Sequence, residues 1–218
     1  MKVIKKITPF LCNTDVQCVE KYEHASFDIF DTLIVRKCKQ PAKIFDIVEE
    51  KYNKLNGTNL ENFRQLRILV EAQLRTKNAE ITINDIYSSI ANKYGCRISD
   101  TLKDLELETE LEQCIANPQI IDLYNQYALH HEVFLVSDMY LPSCFIKKIL
   151  TKNNILHFSK IYISCEYGKT KRNRKLFEQV ICENSLNKKE IIHLGDNFIS
   201  DYVNPRLIGI HSCLITEK

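Results

Sequence analysis

The chain alternates between two kinds of hydrophobic pattern. Five short runs are nearly continuously apolar: Ser26–Asp31, Val133–Asp138, Ile161–Ser164, Ile191–Asp196 and His211–Ile215. The first four each end on a polar residue. Runs of this length, rich in β-branched and aromatic residues, are what strands buried on both faces of a sheet look like. Between the later runs, apolar residues recur every three or four positions, over about Pro142–Asn153, Arg172–Glu183 and Ser200–Leu207. Strand and helix in alternation predict an α/β domain with a parallel sheet covered on both faces.

The interval between the first and second runs differs. From Gln40 to Asn117 the pattern is helical, with no strand run. Pro41 opens one helix and Gly57 follows its end. Asn59 caps the next, whose apolar stripe is Phe63, Leu66, Val70 and Leu74. Asn84 starts a third that stops near Gly95. Ser99 or Asp100 starts a fourth, running through LKDLELETELEQC, and a helix over Pro118–His130 leads into the second strand. The expected organisation is an α/β core from residues 1–39 and 118–218, carrying a helical insertion at 40–117.

Composition narrows the classes. A chain of 218 residues can bury a real core, and at roughly 100–200 residues per domain it is one domain with an insertion. Lys+Arg 30 against Asp+Glu 28 gives a formal charge of +2, which argues against a dedicated nucleic-acid binder. There are five glycines, and no two lie close enough to build a phosphate-cradling loop. Nucleotide-binding folds that depend on such loops are excluded. The nine cysteines are odd in number, scattered and without a CxxC pair, so they read as reduced thiols without zinc-ligand spacing. The start, MKVIKKITPFLCNTD, has an apolar stretch broken by Thr8 and Pro9, too short for a signal segment. No stretch approaches the roughly 18 apolar residues of a membrane span. A soluble cytoplasmic protein with no membrane partner is the expectation.

Ligands of an open parallel sheet sit beyond the carboxyl ends of its strands. Those ends carry Asp28 and Asp31, then Ser137 and Asp138, then a lysine-rich loop, then Gly195-Asp196 with Asp201. Taken alone, each has an ordinary explanation as a cap, a turn or a solvated side chain. Acids, a hydroxyl and a lysine at successive strand ends together suit a multiply charged ligand and a hard cation.

FDIFDTL at Phe27–Leu33, FLVSD at Phe134–Asp138, KRNRKLF at Lys171–Phe177 and GDNFISD at Gly195–Asp201 resemble, in order, the four motifs of the haloacid dehalogenase (HAD) superfamily. The insertion falls where that superfamily places its helical C1-type cap. SFDIFDTLIVR and VSDMYLP are similar to a bacterial subgroup of HAD hydrolases associated with surface-polysaccharide genes. The resemblance implies a Rossmann-like core and a nucleophile at Asp28 that forms an aspartyl-phosphate. It implies that Thr32 orients a neighbouring group, and that Ser137 donates to a phosphoryl oxygen. Lys171 neutralises nucleophile and phosphate; it is chosen over Lys169 because Phe177, six residues on, keeps the family's spacing. Mg²⁺ is implied at Asp28, the backbone carbonyl of Phe30 and Asp196, with Asp201 holding it through water or from behind. The expected substrate is a small anionic phosphorylated metabolite such as a sugar phosphate.

Phe30 is the departure. The family's phosphatases carry an aspartate there as general acid/base, a proton transfer typically worth about 10²–10⁴-fold. Strand alternation is expected to turn Asp31 to the other side. Three readings stay open: a phosphotransferase acting without this acid, a non-catalytic phosphate-ligand or protein-binding module, and a metal-independent dehalogenase-like hydrolase. The paired acids Asp196 and Asp201 favour phosphate chemistry. Arg36, Asp138, Arg67 and Tyr140 are candidate substrate contacts. Against that, Arg67, Glu71 and Arg75 spaced by four also read as an ion-paired solvated face, and Tyr140 as a packing residue. Glu106, Glu108, Glu110 and Glu112 read as solvated surface, and His193 as core.

Overall fold

A computed structural model describes residue 19 and residues 21–78 and 80–215. The N-terminal segment read above against a signal sequence, with Cys12 and Cys18, lies outside these. Strands β1 (His24–Phe27), β4 (Glu132–Ser137), β5 (Lys160–Ile163), β6 (Ile191–Gly195) and β7 (His211–Leu214) form a five-stranded parallel sheet in the order β5-β4-β1-β6-β7. The first strand is thus central. The chain extends the sheet to one side through β4 and β5, then returns to the other side through β6 and β7. The crevice where direction reverses lies between the ends of β1 and β6, next to Asp28 and Asp196.

Alternation along the strands sorts the core into two layers. Ala25, Phe27, Val133 and Leu135 join the larger apolar cluster on one face. Phe134, Val136 and Tyr162 pack on the other face against Leu176, Phe177 and Val180 of α8 (Lys175–Glu183). Each Val, Leu or Phe side chain among them contributes about 1.5–3 kcal/mol by leaving water. The remaining core helices are α5 (Ile121–Ala128), α6 (Ser143–Lys152), the short α7 (Ser164–Tyr167) and α9 (Asn204–Leu207). Among the described residues no helix is long and apolar enough to cross a membrane.

The insertion consists of α1 (Lys43–Asn56), α2 (Phe63–Lys77), α3 (Ile83–Tyr94) and α4 (Cys96–Gln113). Two strands flank it, β2 (Ile34–Arg36) and β3 (Cys114–Ala116), paired antiparallel with Arg36 opposite Cys114. Sequence reading expects no strand between Gln40 and Asn117; β3 corrects that, because three residues are too short to show a period. Helix starts shift as well. Asn62, not Asn59, precedes α2, and the Phe63 N–H donates to Glu49 on α1. Thr82, not Asn84, caps α3 in a reciprocal capping box with Asp85. Gly95, at φ 82°, joins α3 directly to α4, which places Ser99 inside α4, where its hydroxyl donates to the Tyr87 carbonyl. In the core, α8 begins at Lys175 rather than Arg172. The expected Ser200–Leu207 helix is a π-helical turn over Phe198–Val203 running into α9.

Candidate active site

β1 ends at Phe27, and the Asp28 N–H makes one further ladder bond to the Leu194 carbonyl. The chain then turns tightly: Ile34 N–H donates to Ile29 O, Asp31 N–H to Ile34 O, and Asp31 sits at φ 60°. Strand alternation therefore no longer applies at Asp31. Contrary to the expectation, Asp31 lines the same cavity as Asp28.

Asp28 is buried, and its carboxylate has two donors. Lys171 Nζ lies 2.5 Å from Oδ1, and the Thr32 hydroxyl lies 3.2 Å from Oδ2. The same hydroxyl lies 3.2 Å from Asp196 Oδ1, so it can serve either acid but only one at a time. Lys171 also reaches Asp201 Oδ1 at 2.6 Å. Asp201 has more support. Its Oδ1 accepts from His193 Nε2 at 3.1 Å and its Oδ2 from the Asn197 N–H at 3.0 Å. Gly195 is required here, because a Cβ at that position would stand 2.5 Å from Asp201 Cγ. His193 is buried, and its Nδ1 lies 2.8 Å from the Ser26 hydroxyl. A carboxylate only accepts, so the network assigns the proton to Nε2 and lets Ser26 donate to Nδ1.

The charges follow from these contacts. Burial pushes the Asp28 carboxyl up to about 8; Lys171 pulls against this, while Asp201 and Asp196 add to it. Burial also opposes the charge of Asp201, but Lys171 and the His193 hydrogen bond outweigh it and hold that carboxyl below its ordinary range. Burial opposes the Lys171 ammonium too, and Asp201 and Asp28 overcome it, keeping the lysine charged. Burial, then the neighbouring Asp201 and Asp31, raise Asp196.

Carboxylate oxygens of Asp28, Asp196 and Asp201 lie within 4.8 Å of one another. Three hard oxygen donors around one ammonium leave excess negative charge, and a divalent hard cation fits that donor set.

A loop presents Lys171. The Asp138 carboxylate accepts from the backbone N–H groups of Lys171 (2.7 Å) and Arg172 (3.2 Å). Asn204 closes it from the other side, donating to the carbonyls of Lys171 and Arg172. Asp138 thus holds the lysine loop, and it also lines the cavity beside Ser137. Ser137, at the end of β4, is buried and lines the cavity.

The cavity, of about 440 Å³, runs from these acids to the insertion, where Phe45, Glu71, Arg75 and Glu110 form its wall. A second opening of about 390 Å³, lined by Asp31, Lys39, Asn117 and Asp196, meets the same acids from the β2–β3 side. Arg36 lines the first cavity, but Nε and Nη2 both donate to Glu110, at 2.9 Å each, and its guanidinium lies 4.8 Å from the Phe30 ring. These two donors face a carboxylate rather than open space.

Arg67 corrects the sequence reading on two counts: it does not line the cavity, and it is completely buried rather than solvated. It lies between the rings of Phe45 (4.7 Å) and Tyr140 (4.8 Å) and donates twice to Glu106 and once to Glu71. Glu106 and Glu110, expected on a solvated face, are buried partners of these two arginines. The signal was their spacing of four with Leu102, which places all three on one face of α4. The Tyr140 hydroxyl donates to Glu106 at 3.1 Å, and the Ile83 N–H donates to the Tyr140 carbonyl, so this core loop is bonded to the insertion.

No family model and no curated protein matches the chain. Solved structures do. YfnB of Bacillus subtilis, a HAD-hydrolase solved bound to magnesium, is 18% identical and covers 88% of this chain and 87% of its own, with a TM-score of 0.63. A 2-haloacid dehalogenase from Pseudomonas syringae is 14% identical over 88% and 85%, at 0.62. The HAD-family enzyme bt-2542 of Bacteroides thetaiotaomicron, as wild-type protein with magnesium and inorganic phosphate, is 16% identical over 90% and 96%, at 0.60. At these identities the likeness is one of fold: the chain has the HAD-type α/β architecture.

Proposed function

We propose that the protein is a Mg²⁺-dependent HAD-type hydrolase or phosphotransferase acting on a small anionic phosphorylated metabolite, with Asp28 as nucleophile. The observation carrying this is a buried carboxylate at the end of the central strand, held 2.5 Å from an ammonium, with two further acids beside it. In this reading the Asp28 carboxylate attacks phosphorus, the ester oxygen leaves with the bonding pair, and an aspartyl-phosphate remains for water to cleave. Lys171 balances the charge of nucleophile and phosphoryl group. Ser137 donates to a phosphoryl oxygen, and Thr32 fixes the approach of Asp28. Asp28, Asp196 and the Phe30 carbonyl would hold Mg²⁺, with Asp201 holding Lys171 and supporting the cation from behind. The cation supplies charge neutralisation for the phosphate oxygens. The magnesium and phosphate in bt-2542 and the magnesium in YfnB support this assignment.

Phe30 limits the substrate. With no carboxyl at that position, the reading favours leaving groups that depart without a proton, and the likeness to surface-polysaccharide-associated HAD sequences points to sugar phosphates. The acid cluster disfavours the dehalogenase alternative. Asp28→Asn tests the proposal. With Mg²⁺ and a panel of phosphate esters and acyl phosphates, wild-type protein should turn over at least one compound and the variant none. Turnover no higher than in the variant would leave the second reading, a phosphate-binding module without catalysis, which Phe30 itself favours. We place the protein in the cytoplasm on the same reading.

A further inference from the structure

Three cations line the cavity: Lys171, Arg36 and Arg75. Lys171 is committed to Asp28 and Asp201, and Arg36 to both oxygens of Glu110. Arg75 differs. It lies in the last turn of α2, its side chain is 38% exposed, and its one hydrogen bond runs from Nε to Glu71 Oε1 at 2.9 Å, with the Glu80 carboxylate also within reach of its charge. Among the described residues neither Nη of Arg75 has a hydrogen-bond partner.

Glu71 is itself fixed. Its other oxygen accepts from Arg67 Nη1 at 2.9 Å, and Arg67 is completely buried, held by Glu106 through Nε and Nη2. Glu106 in turn accepts from the hydroxyls of Tyr87 and Tyr140. Buried ionic networks of this kind gain little net stability over well-packed apolar residues, because desolvation offsets the attraction. What this one does is orient. Tyrosines fix Glu106, Glu106 fixes Arg67, Arg67 fixes Glu71, and Glu71 fixes the last guanidinium, whose two Nη groups form a fork at the cavity wall. Such a fork suits a carboxylate or phosphate bidentately.

From this we infer that Arg75 is a specificity-determining residue that binds a second anionic group at the far end of the substrate. The substrate class is then a phosphate monoester carrying a distal carboxylate or second phosphate. The inference rests on the phosphoryl-transfer reading for the near end of the cavity and adds the chemistry of the other end.

The test uses matched phosphate esters whose distal group is a carboxylate, a phosphate or a neutral hydroxyl. Kinetics with Mg²⁺ should give wild-type protein a KM about 10- to 100-fold lower for the anionic members, the scale of a charged hydrogen-bonded pair. Arg75→Met should erase that difference by raising the KM of the anionic esters to that of the neutral one. Arg75→Lys, which keeps the charge without the fork, should fall between. Preference for the carboxylate or for the phosphate decides which anion is read. Equal KM values in wild type, or an equal rise for all esters in Arg75→Met, overturn the proposal.

Binding is read separately, as the thermal upshift that each ester gives Asp28→Asn protein with and without Arg75→Met. If no ester is turned over, the phosphoryl-transfer reading fails while this arm still decides Arg75. An upshift selective for the distal anion and lost with Arg75 supports the site; an equal or absent upshift overturns it.

Discussion

Asp28 and Asp201 share the ammonium of Lys171, at 2.5 and 2.6 Å, and the two carboxyls diverge in acidity. Asp201 has the His193 and Asn197 donors besides and keeps its charge; among the described residues Asp28 has Thr32 alone besides and is pushed up to about 8 by burial. A cation binds the carboxylate form, so Mg²⁺ affinity should rise with pH below about 8, by up to tenfold per unit, with release of up to one proton. Calorimetry at pH 7 in two buffers of different ionisation enthalpy measures that proton.

Linkage fixes the sign for stability. The folded value of Asp28 lies above the ordinary 3.8 of an unfolded chain, so between about 4 and 8 the folded state holds the extra proton. Metal-free protein should therefore lose stability as pH rises through that window, and Asp28→Asn should flatten the loss. Denaturant unfolding with chelator at pH 5 and pH 7.5 checks it, and a flat wild-type profile counts against it.

His193 acts through Asp201, as a positioning residue. His193→Leu removes the donor to Asp201 Oδ1, and Mg²⁺ affinity should fall about 10-fold, the low end for groups that orient metal-site carboxylates. His193→Gln can still donate from its amide and should recover most of that affinity. Equal losses in both variants would assign His193 to packing against Phe177 alone.

Phe30→Asp should raise kcat on poor leaving groups, but by about 10-fold rather than the full 10²–10⁴ of a general acid. The reason lies behind the ring: the Arg36 guanidinium, 4.8 Å from its centroid, would compete for the new carboxylate. Good leaving groups should be unaffected. A pH–rate profile that gains no new acidic limb would show that no working acid had been installed.

Arg67→Met should be severely destabilising, by about 3–5 kcal/mol, because Glu106 and Glu71 lose the guanidinium between them. Tyr140→Phe should cost only about 1 kcal/mol, since Glu106 keeps Arg67 and Tyr87. Urea unfolding of the two variants gives the comparison.

The sheet was legible because its strands are continuous apolar runs with their chemistry at one end, so Asp28, Ser137, Lys171 and Asp196 converge once those ends are aligned. What escaped depends on which helix face meets which neighbour. Glu106 and Glu110 look solvated until α4 is laid against Arg67 and Arg36. Asp31 looked averted because the strand was read to its own position, whereas it stops at Phe27. His193 read as plain core, since nothing in strand periodicity reveals a hydrogen bond to Asp201.

The β2–β3 pair has a consequence for how this architecture can be rebuilt. Arg36 and Cys114 are ladder partners, so the chain leaves and re-enters the core at neighbouring points, about 5 Å apart. Topologically, everything from 37 to 113 is an oversized hairpin loop. A two-residue turn closes the same ladder, so an insert of another length can be joined at these two positions if it also replaces the Glu110 carboxylate that Arg36 pairs with.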